Sequence, residues 1–364
     1  MDILEYIASR GSEIDKEIEK VIPKNKEPKA VYSVIWDLLE RGGKRFRPVM
    51  CLLSCEAVGG RSEKLLPIAA AIEMFHEFTL SHDDIEDNSE MRRGKPCLHK
   101  TYGVPIAINA GDGLFAMVWE TSLMLDMPPK KIVEAQKILS DAFRRVLEGQ
   151  GIEIDWYRNN FWGITEQDYS NMVAGKTGAL IAASCEVGAF LGGGKKRQRK
   201  ILREFGNAVG IAFQIQDDIL NLVGNEEKYG KEIGGDISEG KRTLMVIHAL
   251  GKASADDKKK LISILDEKTK DQSRIKEAIE ILKKYNSNEY ARKQAEKLVV
   301  TQWRAKMYPS AKLDPLPGTT NSRWTNTGFG HEAAEVKRSC TACDKKNAPV
   351  PAKENVNAPA LQAA

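Results

Sequence analysis

The sequence predicts an all-α fold in one large domain, and three observations carry that expectation. Apolar residues return every three or four positions through AVYSVIWDLLERG, KLLPIAAAIEMFHEFTLSHDDIED, KKIVEAQKILSDAFRRVLEGQGIEIDWYR and QRKILREFGNAVGIAFQIQDDILNLV. That is the period of a helix with a buried face. No stretch sustains the alternation of a half-buried strand. Gly and Pro punctuate the periodic segments at Gly42-Gly43, Gly59-Gly60, Pro128-Pro129, Gly192-Gly193-Gly194 and Gly234-Gly235, where they read as helix breaks. The breaks divide residues 1–299 into about ten to twelve helices.

With 364 residues, 42% hydrophobic and 29% charged, the chain can bury a sizeable core and has the balance of a soluble globular protein. No apolar run reaches the ~18 residues of a membrane span. The acidic, amphipathic start, MDILEYIASRGSEIDKEIEK, lacks the basic end and apolar middle of a signal peptide, so a cytoplasmic location is expected. Residues 300–364 hold nine Lys/Arg against five Asp/Glu, which accounts for the whole net charge of +4 and leaves 46 of each sign before them. A neutral body argues against nucleic acid as a partner. The same tail carries six of the fourteen prolines and ends APVPAKENVNAPALQAA, which reads as largely disordered. Cys51, Cys55, Cys97 and Cys185 sit in apolar or helical contexts and read as buried thiols. Cys340 and Cys343 form one CxxC, without the second pair of a structural zinc site.

Two acidic clusters carry the chemistry. Residues 82–87 read His-Asp-Asp-Ile-Glu-Asp. On a helix Asp83 and Asp87 share a face, where their carboxylates repel unless a cation lies between them. The second cluster, Gln214-Ile-Gln-Asp217-Asp218-Ile-Leu-Asn221, begins its aspartates 134 residues later and also follows an apolar helix. Either cluster alone would read as a solvated helix face. The pair, each at the end of an apolar helix with basic motifs between, favours a hard cation held by oxygen, magnesium above others, with a diphosphate as co-ligand.

The basic motifs supply anion donors. In Gly42-Gly43-Lys44-Arg45-Phe46-Arg47-Pro48 the glycines let backbone approach an anion, and Lys44 and Arg47 supply charge and forked donors. Arg92-Arg93-Gly94-Lys95 lies just past Asp87, where neighbouring cations diverge and can serve two anions. Gly175-Lys176-Thr177, Lys231 and Lys241 add further donors. His76 precedes Asp83 by two helical turns, either as an ordinary core residue or as a hydrogen-bond donor to a diphosphate.

Taken in this order and spacing, the motifs resemble the trans-isoprenyl diphosphate synthases, most of all the archaeal-type short-chain geranylgeranyl and farnesyl diphosphate synthases. The segments EGQGIEIDWYRN and EIGGDISEGKRTL strengthen the likeness, which covers about residues 1–299, with 300–364 as an atypical tail. The resemblance implies a homodimer of helical bundles, each around a deep central cavity, and head-to-tail condensation of isopentenyl diphosphate with allylic diphosphates. It implies metal ligation by Asp83, Asp87 and Asp217, with Asp84 close by. It assigns Gly43, Lys44, Arg47, His76 and Arg93 to isopentenyl diphosphate, and Arg92, Lys176, Lys231 and Lys241 to the allylic diphosphate. Thr177 and Gln214 would lie near the developing carbocation.

It also implies that the product grows down the helix carrying the first cluster. Phe78 lies about 7.5 Å below Asp83 along the axis and Phe75 about 12 Å below, so either ring can form a floor. A bulky residue five positions before the motif limits chain length in the archaeal-type enzymes, which favours Phe78. With Thr79 small and Phe78 large, geranylgeranyl diphosphate is the expected main product and farnesyl diphosphate the alternative. Two departures stand out: Asn221 replaces an aspartate common in relatives, and from TTNSRWTNTGFG onward the tail loses the family pattern. A frameshift, a fusion or a genuine extension would each explain the tail. A non-catalytic regulatory subunit and a class I terpene cyclase are the competing readings. The first usually loses an aspartate motif, and the second does not need the Gly43-Lys44-Arg47 site.

Overall fold

In a computed structural model, which describes residues 3–223 and 233–307, the apolar period becomes helix after helix. Helix α1 (Ile3–Val21) turns Gly11, Ile14 and Ile18 inward at a helical spacing. Next come α2 (Lys29–Leu39), α3 (Phe46–Ala57), a 3-10 turn over Ser62–Leu65, and α4 (Leu66–Glu86). The last begins with proline in its first turn, where the missing N–H costs nothing. From Ile68 to Phe75 every residue of α4 is buried, the mark of a central helix. The four other cysteines are free and buried, as expected.

Around α4 pack α6 (Val104–Ser122) and α3. Helix α3 in turn lies on α9 (Ala179–Leu191). Helix α7 (Pro129–Arg158) runs along α9 and a π-turn, Ala174–Gly178, that follows α8 (Glu166–Val173). Thr165 and Asp168 cap α8 reciprocally, satisfying two of its orphan N–H groups. Helix α10 (Lys196–Val223) packs on α9 and on α15 (Ser287–Met307), with α11 (Gly235–Glu239), α12 (Leu244–Lys252), α13 (Ala255–Glu267) and α14 (Gln272–Lys284) between them in sequence. A second core of Ile215, Ile219, Leu244, Leu261 and Leu265 joins these elements.

The described residues hold fifteen α-helices, more than the ten to twelve expected, and two of them, α5 (Leu98–Tyr102) and α11, have only five residues each. Helices that short carry no full apolar period. A two-stranded hairpin was also not expected. Met91–Arg92 (β1) pairs antiparallel with Lys95–Pro96 (β2), too short to alternate. Its turn residues Arg93 and Gly94 have φ of 53° and 75°, which fits a two-residue hairpin loop. Helix α15 runs past residue 299 to Met307. The rest of the tail, with Cys340 and Cys343, lies outside the described residues, as does Lys231. From Ile7 onward the described residues belong to one compact unit. Among the described residues no helix is long and apolar enough to cross a membrane.

One crossing positions the site directly. A Cβ on Gly149 of α7 would lie 2.2 Å from the Lys176 backbone nitrogen and 2.8 Å from the Met172 carbonyl oxygen, and one on Gly175 would lie 2.8 Å from the Arg145 carbonyl oxygen. Only paired glycines allow this approach, which seats Lys176 against α7. Gly149→Ala is therefore expected to push the π-turn away and to lower stability by about 1–3 kcal/mol. An unchanged urea midpoint would show that the crossing is looser than these distances.

Candidate active site

Helix α4 ends in the first acidic cluster. Lys176 Nζ lies 3.2 Å from Asp83 Oδ1 and 2.5 Å from Glu153 Oε2. Lys241 Nζ lies 2.8 Å from Asp87 Oδ2 and 2.5 Å from Glu239 Oε2. Each ammonium thus sits where a cation is needed to relieve the repulsion between Asp83 and Asp87. Burial alone would lower the pKa of both lysines, but the facing carboxylates outweigh it and raise both. Gln150 donates to Asp83 Oδ1 at 3.3 Å and to Glu86 Oε2 at 2.6 Å.

Asp84 behaves differently from its neighbours. Its carboxylate is buried and bound by both Arg92 Nε, at 2.8 Å, and Arg92 Nη2. Arg92 also reaches Asp83 Oδ2 at 3.4 Å. Of the aspartates expected at the metal, Asp84 is thus committed to a guanidinium, and Arg92, expected on the allylic diphosphate, stands between Asp84 and Asp83.

The second cluster is joined to the first at two points. Thr177, next to Lys176, donates to Gln214 Oε1 at 2.6 Å, and Gln214 donates to Asp218 Oδ1 at 2.8 Å. Tyr169 donates to Asp218 Oδ2 at 2.7 Å. Burial pushes the Asp218 carboxyl up to about 6, against the pull of these hydrogen bonds. Asp217, half-buried, makes no ion pair among the described residues. At the other point, Asn221 Oδ1 accepts from the Asp236 backbone N–H at 3.0 Å, and its carbonyl accepts from Gly234 at 2.7 Å. Asn221 therefore fastens the end of α10 to the start of α11, whose Asp236 lies 3.8 Å from Lys241 Nζ. An amide does this with its oxygen and needs no metal, which gives the departure from aspartate a structural use.

The basic loop lies beside α4. Gly43 has φ +147°, and a Cβ there would meet Arg45 Nη1 at 2.8 Å and Arg93 Nη2 at 3.0 Å. Lys44 is exposed. Arg47 Nη1 is 3.1 Å from His76 Nε2. Burial, then Arg47 and Arg93, hold the imidazole pKa well below its usual value. Arginine can only donate, so His76 is neutral, accepts at Nε2 and carries its hydrogen on Nδ1. Arg47 Nε and Arg93 Nη1 are buried with no hydrogen-bond partner among the described residues.

Below the first cluster the rings gather. Phe78 is 5.3 Å from Phe75, 5.2 Å from Phe115 of α6 and 5.7 Å from Phe143 of α7, centroid to centroid. Phe115 and Phe143 are 4.6 Å apart. Thr79 Oγ1 donates to the His76 carbonyl at 2.7 Å. Direct contacts link Asp83 with Arg92 and Lys176, Asp87 with Lys241, Thr177 with Gln214, and Arg47 with His76, whereas Lys44 is exposed and Lys231 lies outside the described residues.

Sequence reasoning passed over Arg45, Glu73, Glu77, Gln150 and Glu153. The signal was present: Glu73, His76 and Glu77 form a polar i, i+3, i+4 stripe inside an apolar segment, and Gln150 and Glu153 are three apart on α7.

The donor set fits a divalent cation. Asp83, Asp87 and Asp217 offer oxygen alone, and Asp87 Oδ1 is buried without a partner among the described residues. No three acidic, histidine or cysteine side chains among the described residues already converge as a metal group. Magnesium does not require that, since it takes one or two carboxylates and completes its shell with water and phosphate.

The polyprenyl synthetase family model matches residues 28–282. A short chain isoprenyl diphosphate synthase of Methanothermobacter thermautotrophicus is 40% identical over 80% of this chain and 88% of its own. The crystal structure of a geranylgeranyl pyrophosphate synthetase from Pyrococcus horikoshii superposes with a TM-score of 0.76 at 38% identity, covering 83% of this chain and 92% of that one. A polyprenyl synthase from Caulobacter crescentus, solved with calcium and isoprenyl diphosphate, gives 0.77 at 25% identity over 84% and 92%.

The two kinds of aspartate should separate on substitution. Asp83→Asn, Asp87→Asn and Asp217→Asn are expected to cut turnover by roughly a hundred-fold or more while the fold persists. Asp84→Asn and Asp218→Asn should lower the melting temperature, because each carboxylate is buried in a hydrogen-bond network. Equal melting curves for all five variants would remove the distinction.

Proposed function

The chain belongs to the polyprenyl synthetase family and is a short-chain isoprenyl diphosphate synthase, and on that premise we propose how its residues divide the work. The reaction joins isopentenyl diphosphate head-to-tail to an allylic diphosphate. The observation that carries the reading is the joining of two acidic clusters, by Thr177 next to Lys176 bonding Gln214 and by Asn221 fastening α11 ahead of Lys241, beside a separate arginine group with unused donors. Such a site suits one diphosphate bound with a metal and a second bound by basic side chains without one.

Magnesium, held by Asp83, Asp87 and Asp217, would neutralise the allylic diphosphate and make it a leaving group. Lys176, Lys241 and Arg92 add positive charge around the same phosphates, and Lys231 joins them in the proposal. Gly43, Lys44, Arg47 and Arg93 bind isopentenyl diphosphate, with His76 orienting Arg47. The allylic C–O bond breaks with its electron pair going to diphosphate. The isopentenyl double bond then forms the new C–C bond, and the released diphosphate takes the proton that is lost. The Thr177 and Gln214 oxygens lie beside the cation, in surroundings that exclude water.

Growth of the chain is directed down α4 onto Phe78, which is braced by Phe75, Phe115 and Phe143, so geranylgeranyl diphosphate is the proposed main product. A second copy of the chain is the proposed partner, supported by the exposed apolar side chains of Tyr102, Val104 and Ile108 along α5 and α6.

The test is to incubate the protein with magnesium, isopentenyl diphosphate and each allylic diphosphate, and to identify the dephosphorylated products by mass. A twenty-carbon product is expected, with Phe78→Ala moving the distribution to longer chains and Thr79→Phe to shorter ones. No condensation with any allylic partner would overturn the reading, and an unchanged profile in Phe78→Ala would remove Phe78 from the floor.

A further inference from the structure

Three guanidinium groups stand over one face of α4. Arg45 Nη1 lies 2.9 Å from Glu73 Oε1 and 3.4 Å from Glu77 Oε1. Arg47 meets His76, and Arg93 Nη2 lies 2.8 Å from Glu77 Oε1. One oxygen of Glu77 therefore accepts from two arginines that come from separate segments: the glycine loop before α3 and the hairpin after α4. We propose that Glu77 is a positioning residue for the isopentenyl diphosphate site, fixing Arg93 directly and, through Arg45, the Gly42–Gly43 loop that carries Lys44 towards Arg47. The inference rests on the reading that Lys44, Arg47 and Arg93 take that substrate.

The geometry favours positioning over simple charge balance. Glu77 holds one arm of the Arg93 fork, while Nη1 of the other arm remains buried without a partner among the described residues. A guanidinium held by one arm presents the other in a fixed direction, and less freedom is lost when an anion arrives. Arg93 needs such restraint, because it sits at φ 53° in a two-residue turn, outside the backbone region most side chains adopt.

Arg45 makes the second link. Its Nη2 donates to the Leu39 carbonyl at 3.0 Å and its Nη1 to the Gly42 carbonyl at 3.1 Å, so the carboxylates of α4 hold the loop through it. Asp15 adds a further contact to Arg45 Nε at 2.7 Å from the opposite side. Without Glu77, Arg93 would lose its carboxylate partner on α4 and Arg45 would keep only Glu73 and Asp15, and mutual repulsion among the three guanidinium groups would spread them. Burial pushes the Glu77 carboxyl up to about 7, with Arg93 and Arg45 pulling it back and Glu73 adding to the rise. A fully buried carboxylate is an expensive device for stability alone.

The test is steady-state kinetics of the full chain with magnesium, varying each substrate in turn. Glu77→Gln keeps the shape and an acceptor oxygen but removes the charge. It should raise the KM for isopentenyl diphosphate about ten-fold, the loss of one charge-assisted contact, with kcat and the allylic KM nearly unchanged. Glu77→Asp keeps the charge and withdraws the oxygen by one methylene. It should show the same split, and it decides the question if the glutamine variant does not fold. In an Arg93→Lys background Glu77→Gln should add less than it does alone, since only the route through Arg45 then remains. A fall in melting temperature with both KM values moving together would mean a structural role only and overturn the proposal. So would an unchanged isopentenyl KM in Glu77→Asp while Lys44→Ala and Arg47→Ala raise it. If neither Lys44→Ala nor Arg47→Ala moves that KM, the reading of the substrate site fails, and this inference with it.

Discussion

Two carboxylates one helical turn apart at the end of an apolar helix cannot sit there without a positive partner. That constraint at Asp83 and Asp87 organises the rest of the site. Lys176 reaches Asp83 from a π-turn that only paired glycines allow against α7. Lys241 reaches Asp87 from beyond α11. The two ammonium groups tie α8–α9 and α11–α12 to the top of α4, so the acidic cluster acts as a clasp between distant parts of the chain. On the proposed reading a metal-bound diphosphate would take part of the charge that the two lysines here direct at the carboxylates.

The same logic separates the aspartates within each motif. Asp84 and Asp218, the second members of their pairs, are turned into buried networks with Arg92 and with Tyr169 and Gln214. On the proposed reading they hold the helix ends in place beside Asp83 and Asp217. On that reading, a helix end that carries an anchor beside its ligands is stiffer than one without, and stiffness matters where binding must orient two anions for reaction. Asn221 belongs with the anchors, since its oxygen fastens α10 to α11.

The helical fold was legible because its signal is repetitive: each long segment states its period several times over. Helices α5 and α11 and the Met91–Pro96 hairpin were not, because five residues or two cannot state a period at all. In the site, spacing revealed the carboxylates and the glycine-rich basic loops, where residue type and position alone imply the charge problem. It did not reveal Glu73 and Glu77, because an apolar run around them looked like core. Which cation faces which anion is a matter of tertiary approach. Arg45 and Glu77 are 32 positions apart, and no local pattern announces their contact. The role of Asn221 was hidden for the same reason, since its partner is a backbone N–H fifteen residues on.

A proposed limit on product length also changes in character once the neighbours are known. A single ring at the bottom of a channel can swing to another rotamer and let a chain pass. Phe78 has Phe75 on its own helix, Phe115 from α6 and Phe143 from α7 within 6 Å of its centroid, and Phe115 packs edge-on against Trp119 behind them. Rotation of any one ring would require the others to move, and each such contact adds about 0.5–1.5 kcal/mol beyond area burial. Thr79, expected to leave room by being small, is tied to the carbonyl of His76, so its side chain is fixed as well. The floor on this reading is a layer shared by three helices. Its height depends on how α6 and α7 pack against α4 as much as on the residue at position 78.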